Sequence, residues 1–173
     1  MLNIKKIASS ILPGSTERKK EKAKEAPHKS LLDDIIHTAD NFAENFHENP
    51  AFLFVEKGTL DYSIESLSAV DDVLEELSDF EWNEDQLYNI TSMIGCYIFE
   101  TARRNYGGEY FWLEKEQQPV LIAGLPDFRV QMKVWEKVRG RVLNGREDNI
   151  PFFIAGYKEY IERAKEGDIF TIV

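Results

Sequence analysis

One cysteine and three histidines leave this 173-residue chain little of the chemistry from which most sites are built. A lone thiol forms neither an internal disulfide nor a cysteine-based zinc cluster. Cys96 lies among apolar residues in a helical pattern, which reads as a buried, inert thiol and not as a nucleophile. No apolar run approaches the ~18 residues needed to cross a bilayer. The opening stretch carries Lys5 and Lys6 inside a short apolar segment, unlike a secretory signal. The chain is therefore expected to be cytoplasmic and bacterial in style. It also has no P-loop, no Gly-x-Gly-x-x-Gly, no His-Glu-x-x-His and no Gly-x-Ser-x-Gly. Acids are everywhere, but none stand out as a catalytic pair. The expectation is a protein without catalytic residues, cofactor or metal.

What the chain does have is charge, unevenly divided. Residues 1–29 hold eight Lys/Arg against three acids, a net of +5, while the remaining 144 residues hold 13 basic and 28 acidic side chains, a net of −15. The arm has apolar residues at Leu2, Ile4, Ile7, Ile11 and Leu12, a short amphipathic pattern stopped by Pro13-Gly14. From Ser15 to Lys29 almost no apolar side chain appears, so this part reads as a flexible, solvated linker. The body, 30–173, is expected to be one domain, since 43% hydrophobic and 12% aromatic content supplies a core. Its −15 repels phosphate, so no nucleic-acid binding is expected of it.

The body's periodicity predicts helices first. Ser30 is the expected N-cap of a helix with Leu32, Ile35, Ile36, Ala39, Phe42, Ala43 and Phe46 as its stripe, ending at Asn49-Pro50. Residues 51–62 are ambiguous, with a turn at Gly58. Ser63 should cap a second helix, striped by Ile64, Leu67, Val70, Leu74 and Leu77. Asn83 and Gln86 form a capping-box pair opening a third helix, which Gly107-Gly108 should close. The period then falls to two. Glu109–Leu113 and Val120–Leu125 read as a hairpin, and Phe128, Val130 and Met132 as the alternate residues of a third strand. A helix on Val134, Val138 and Val142 follows, stopped by Asn144-Gly145. Asp148 or Asn149 caps the last helix, with Pro151 in its first turn. Residues 152–157 are apolar nearly all round and predict a central position; Ile169–Val173 adds a possible terminal strand. The expected class is α+β, with a small antiparallel sheet between helices.

Four groups of residues are candidate sites. The segment Glu65 to Asp85 contains nine acids and no Lys or Arg. Asp71, Asp72, Glu75, Glu76, Glu81, Glu84 and Asp85 are its candidate partner-binding residues, since an acidic surface steers and complements a basic partner. Arg103 and Arg104 end the third helix beside a glycine pair and could grip an anion, although cations favour helix C-termini in any case. Arg139 and Arg141 belong to a basic island, 127–146, with six cations and two acids. It serves either to hold an anion or to pair with the acidic helices. His37, Asp40, Glu44 and His47 share a helix face suited to a metal, but no second Glu-x-x-His exists to complete a di-metal set, and the face reads as solvated.

Residues 60–165 resemble an uncharacterised family of small bacterial domains. The motifs concerned are Leu60-Asp-Tyr-Ser63, Gly95-Cys-Tyr-Ile-Phe-Glu100, Arg103-Arg-Asn-Tyr-Gly-Gly108, Val142-Leu-Asn-Gly145 and Asp148-Asn-Ile-Pro-Phe-Phe153. The resemblance implies an immunity or accessory protein of the kind encoded near toxins, and it implies no catalytic residue. Charge leads to the same expectation: a non-enzymatic protein-binding domain with an acidic surface, neutralising a basic toxin. The alternative is a peripheral membrane protein held by residues 1–29, with apolar residues in the interface and lysines on anionic lipid.

Overall fold

The computed structural model describes residues 29–48, 55–145 and 148–173. The amphipathic pattern at 2–12, the linker up to residue 28, the Asn49-Pro50 stop, residues 51–54 and Arg146 lie outside them.

Helix α1 (Lys29–Asn45) runs into a 3-10 turn at Phe46–Glu48. Its buried stripe is Leu31, Ile35, Ala39, Phe42 and Phe46, so Leu31 takes the inner place expected of Leu32. Ser30 lies inside this helix and does not cap it. Helix α2 (Ser66–Leu77) begins three residues after Ser63. Ser63 still serves its start: its hydroxyl accepts from the Ser66 N–H at 3.1 Å, and Ser66 Oγ donates to the Ser63 carbonyl at 2.7 Å. Helix α3 (Glu84–Tyr106) opens with the expected reciprocal capping box of Asn83 and Gln86 and closes at Gly107, whose φ of 76° suits glycine.

Strands β1 (Glu109–Leu113) and β2 (Gln118–Ala123) form the antiparallel hairpin, β2 beginning two residues earlier than its pattern suggested. Strand β3 (Arg129–Met132) pairs antiparallel with β2 and buries Val130 and Met132. Helices α4 (Val134–Asn144) and α5 (Ile150–Arg163) then form the crossover that a parallel return requires. Strand β4 (Ile169–Ile172) accordingly joins parallel to β3 at the end of a sheet ordered β1-β2-β3-β4. The fold is α+β, and its sheet is mixed because of this last strand. Asn149 caps α5, accepting from the Phe152 N–H at 2.9 Å. The all-round apolar character of 152–157 does not make α5 central: Phe153, Ile154 and Tyr157 are buried, whereas Phe152 and Ala155 face solvent.

Helix α3, the longest among the described residues, is central to their packing. It packs along α1 on one side and against α4 on another, while α2 lies on α4 and α5. At Gly95 in α3 the absence of a side chain is required. A Cβ there would stand 2.7 Å from Cδ1 and 3.1 Å from Nε1 of Trp135, which packs edge-on against Tyr88 and Trp112. Gly95→Ala should therefore cost about 1–2 kcal/mol through displacement of this ring, read as a lowered thermal midpoint with intact helical circular dichroism. An unchanged midpoint would show that Trp135 moves freely.

Candidate functional site

The acidic segment Glu65 to Asp85 becomes α2, the turn after it and the start of α3, and the fold splits its charges between two directions. Asp71 points inward. On α2 it occupies a position of the apolar stripe, one residue past Val70 and three before Leu74, and it is buried. Its carboxylate accepts from Arg141 Nε at 3.0 Å and Nη2 at 3.1 Å, from Asn149 Nδ2 at 2.9 Å and from the Ile150 backbone N–H at 2.9 Å. Arg141 itself is only 2% exposed and also meets Glu75. One carboxylate thus ties α2 to α4 and supplies an anion to the N-terminus of α5, where unpaired N–H groups favour one. Asp71 belongs to the interior, and half-buried Glu75 is engaged with the same guanidinium; neither forms part of an open acidic face.

The other five acids, Asp72, Glu76, Glu81, Glu84 and Asp85, are exposed, and Asp79 joins them. They lie on α2, on the start of α3 and on the turn between them, whose backbone is held by side-chain bonds. Trp82 Nε1 donates to the Leu77 carbonyl at 2.8 Å, Ser78 Oγ donates to the Glu75 carbonyl at 2.6 Å, and Asn83 caps the next helix. These bonds satisfy the carbonyls left at the end of α2 and hold Phe80 outward, 59% exposed, its ring 6.1 Å from that of Trp82. Glu84 meets Arg139 Nη2 at 3.0 Å, whose hydrogen bond and charge lower its pKa. The result is an exposed aromatic flanked in the chain by exposed Asp79 and Glu81, and sequence reading missed Phe80 because Asp79-Phe-Glu-Trp82 has no helical or strand period to assign it outward.

The expected anion sites look different in three dimensions. Arg103 and Arg104 both turn onto Glu100, which is 1% exposed. Arg103 donates through Nε and Nη2 at 2.8 Å each, and Arg104 through Nε at 2.8 Å. Tyr110 OH donates to the same carboxylate at 3.3 Å. Burial by itself would raise the Glu100 pKa, but the two guanidiniums outweigh it and hold it below its ordinary value. Arg104 reaches on to Asp40 at 3.2 Å and stacks over the Tyr62 ring at 3.6 Å. Tyr62 OH donates to Asp40 at 2.7 Å, and Tyr97 OH accepts from the Tyr62 N–H at 3.0 Å. Tyr62 adopts φ 64°, a strained conformation for a non-glycine residue. Asn105 holds it there, donating to its carbonyl at 2.9 Å. Two cations and two carboxylates balance, so the pair of arginines offers an anion no net charge.

Four of the basic island's six cations are likewise occupied: Lys133 meets Glu116, Lys137 meets Asp148, Arg139 meets Glu84, and Arg141 meets Asp71 and Glu75. Among the described residues no group of three or more His, Cys, Asp or Glu is placed to hold a metal. Of the four-residue helix face, Asp40 is committed to Tyr62 and Arg104. Cys96 lines a small apolar cavity with Leu31, Ile35, Trp112, Pro119 and Trp135, and burial, with the charge of Asp34 added, pushes its thiol up to about 12. No described helix is long and apolar enough to cross a membrane.

The Glu100 network had a legible signal: an acid directly after the apolar run Cys96–Phe99, with arginines three and four residues later. Asp71 on an apolar stripe was a signal of the same kind. The chain matches no family model, and no curated protein or solved structure matches it.

Proposed function

We propose that this is a non-enzymatic protein-binding domain of the bacterial cytoplasm, an immunity-type protein that captures a basic partner through the turn between α2 and α3. The observation that supports this reading is Phe80, exposed between exposed Asp79 and Glu81 in a segment whose other exposed acids are Asp72, Glu76, Glu84 and Asp85. Interfaces concentrate their binding energy in a few aromatic anchors, while rim charges act on encounter rate and partner choice. The candidate anion-site cations Arg103, Arg104, Arg139 and Arg141 are all paired with carboxylates, which favours an acidic surface over an anion site as the place of recognition. The buried, unpaired Cys96 suits a reducing compartment.

The experiment is affinity capture at low and moderate salt, followed by kinetics on the basic protein retained. Phe80→Ala should change stability by no more than about 0.5 kcal/mol yet weaken binding by about 2 kcal/mol or more. Reversing Asp72, Glu76 and Glu81 to Lys should slow association about tenfold or more at low salt and leave dissociation little changed. A captured partner whose affinity ignores both sets of changes would place recognition elsewhere. The second reading, attachment of residues 1–29 to anionic lipid, is favoured by the +5 arm. It requires flotation with anionic vesicles that is lost when the arm's apolar residues are replaced by Asp.

A further inference from the structure

The sheet ends on one side at β1, against which α1 packs, and on the other at β4, beside which no further strand lies among the described residues. The parallel ladder fixes where each backbone group of β4 points. The Asp168 carbonyl accepts from the Arg129 N–H at 2.8 Å and the Ile172 carbonyl from the Lys133 N–H at 3.0 Å. Pairing alternates along a strand, so Phe170 and Ile172 give their backbone groups to β3, and those of Ile169 and Thr171 turn to the open side. Side chains alternate too. Phe170 and Ile172 are half-buried, the Phe170 ring 4.9 Å from Tyr160 of α5. Ile169 and Thr171 stand on the opposite face beside Arg129 and Gln131, and Gln131 Nε2 donates to Thr171 Oγ1 at 2.6 Å. Ile169 is 69% exposed and Val173 56%. Edges are usually blunted by lysine, proline or a bulge. Residues 169–173 contain no charge and no proline, and the register with β3 runs without a bulge.

We propose that β4 is the pairing edge of a symmetric dimer and takes the β4 of a second copy, antiparallel, about a twofold axis at Thr171. The strand is self-complementary about that residue. Its open-side positions are 169, 171 and, by the same alternation, 173. An antiparallel copy centred on Thr171 exchanges two backbone bonds between the two Thr171 residues and sets Ile169 of each copy beside Val173 of the other. The exposed apolar side chains of the strand then cover one another as cross-strand pairs, and the twofold closes the assembly at two copies. Charge selects the same occupant. An uncharged edge offers no complement to a basic or an acidic strand, whereas a second uncharged strand meets it without stripping water from an ion. The acids of 65–85 lie elsewhere, on α2, the start of α3 and the turn between them. So short a strand pair belongs to the weak class of interface, under about 1,200 Å². Two copies that each carry a net charge of −10 also repel. Screening relieves that repulsion, so this dimer tightens with salt, opposite to the capture of a basic partner.

The test is sedimentation equilibrium with amide exchange on the full chain, from about 0.01 to about 1 mM protein, at low and high salt. The mean mass should rise toward two chains with concentration, and further at high salt. Over the same range the amides of Ile169 and Thr171 should slow about threefold or more, while those of Phe170 and Ile172, already bonded to β3, change little. Thr171→Pro removes an N–H that faces the open side, a place where an edge strand tolerates proline, and Ile169→Lys puts a charge into the pairing edge. Each should weaken association about tenfold or more with an unchanged thermal midpoint, and Ile169→Lys carries the test if the proline variant does not fold. A single-chain mass up to the highest concentration would overturn the proposal. So would a dimer that both variants leave intact, a dimer that salt weakens, or protection that does not alternate along 169–172. Protection of Ile169 and Thr171 that appears only when a different protein is added would remove the second copy as the occupant.

Discussion

Asp71→Ala should destabilise the protein by about 3–5 kcal/mol, the range for removing one partner of a buried ion pair. The loss exceeds that of an ordinary hydrogen bond because four donors converge on this carboxylate from three places in the chain: Arg141 with two N–H groups, Asn149 and the Ile150 backbone. With the Asp71 carboxylate gone, Arg141 retains Glu75 and a long bond to the backbone carbonyl of residue 71, and the first N–H of α5 loses its acceptor. The uncompensated guanidinium is the largest cost, and this gives the test its second arm. Arg141→Met in the Asp71→Ala background should recover part of the loss, since a buried pair removed together leaves no orphan charge. Denaturant midpoints of the single and double variants decide it. A single variant within about 1 kcal/mol of the parent chain would mean that water or Glu75 fully replaces the carboxylate.

Glu100→Gln should cost about 2–4 kcal/mol near neutral pH, somewhat less than Asp71→Ala, because Arg103 and Arg104 are half-exposed and can turn to water. Its more specific signature is pH dependence. The Glu100 carboxyl is held below its ordinary 4.5 by the two arginines despite burial. The unfolded chain therefore binds this proton more readily than the folded one, and stability from this group is complete above 4.5 and lost as pH falls through the folded value. Denaturation curves between pH 7 and pH 3 should show a smaller acid loss in Glu100→Gln than in the parent chain, the gap between the two narrowing as pH drops. Parallel curves across this range would show that the arginines do not discriminate between the charged and neutral carboxyl.

These two carboxylates also mark how far the sequence can be read. Helix α3 was legible end to end because its signals are local: Asn83 and Gln86 stand three residues apart, and Gly107 ends the helix by its own conformation. The hairpin was legible from alternation, within two residues. Pairing of the basic island with the acidic helices was legible as one of two readings and is what Arg139 and Arg141 do, but the sequence reads Asp71 as a surface acid because nothing local singles out Arg141, 70 residues away, as its partner. Residues 152–157 misled for a related reason. An all-apolar run does not reveal which side will be covered, and α5 buries Phe153, Ile154 and Tyr157 while leaving Phe152 in water. Arg103 and Arg104 looked available because the same helix turn that favours cations also hides the acid on which they close.

By itself, the sequence determined the charge split, the caps, the change of period from helix to strand and hence the α+β class, all properties of residues within a few positions of one another. Only the tertiary structure decided which acids face inward, that β4 returns parallel to β3 after two helices, and that Phe80 stands exposed among carboxylates. Those outcomes depend on burial and on pairs tens of residues apart, where the low polarity of the interior makes each charge find a partner.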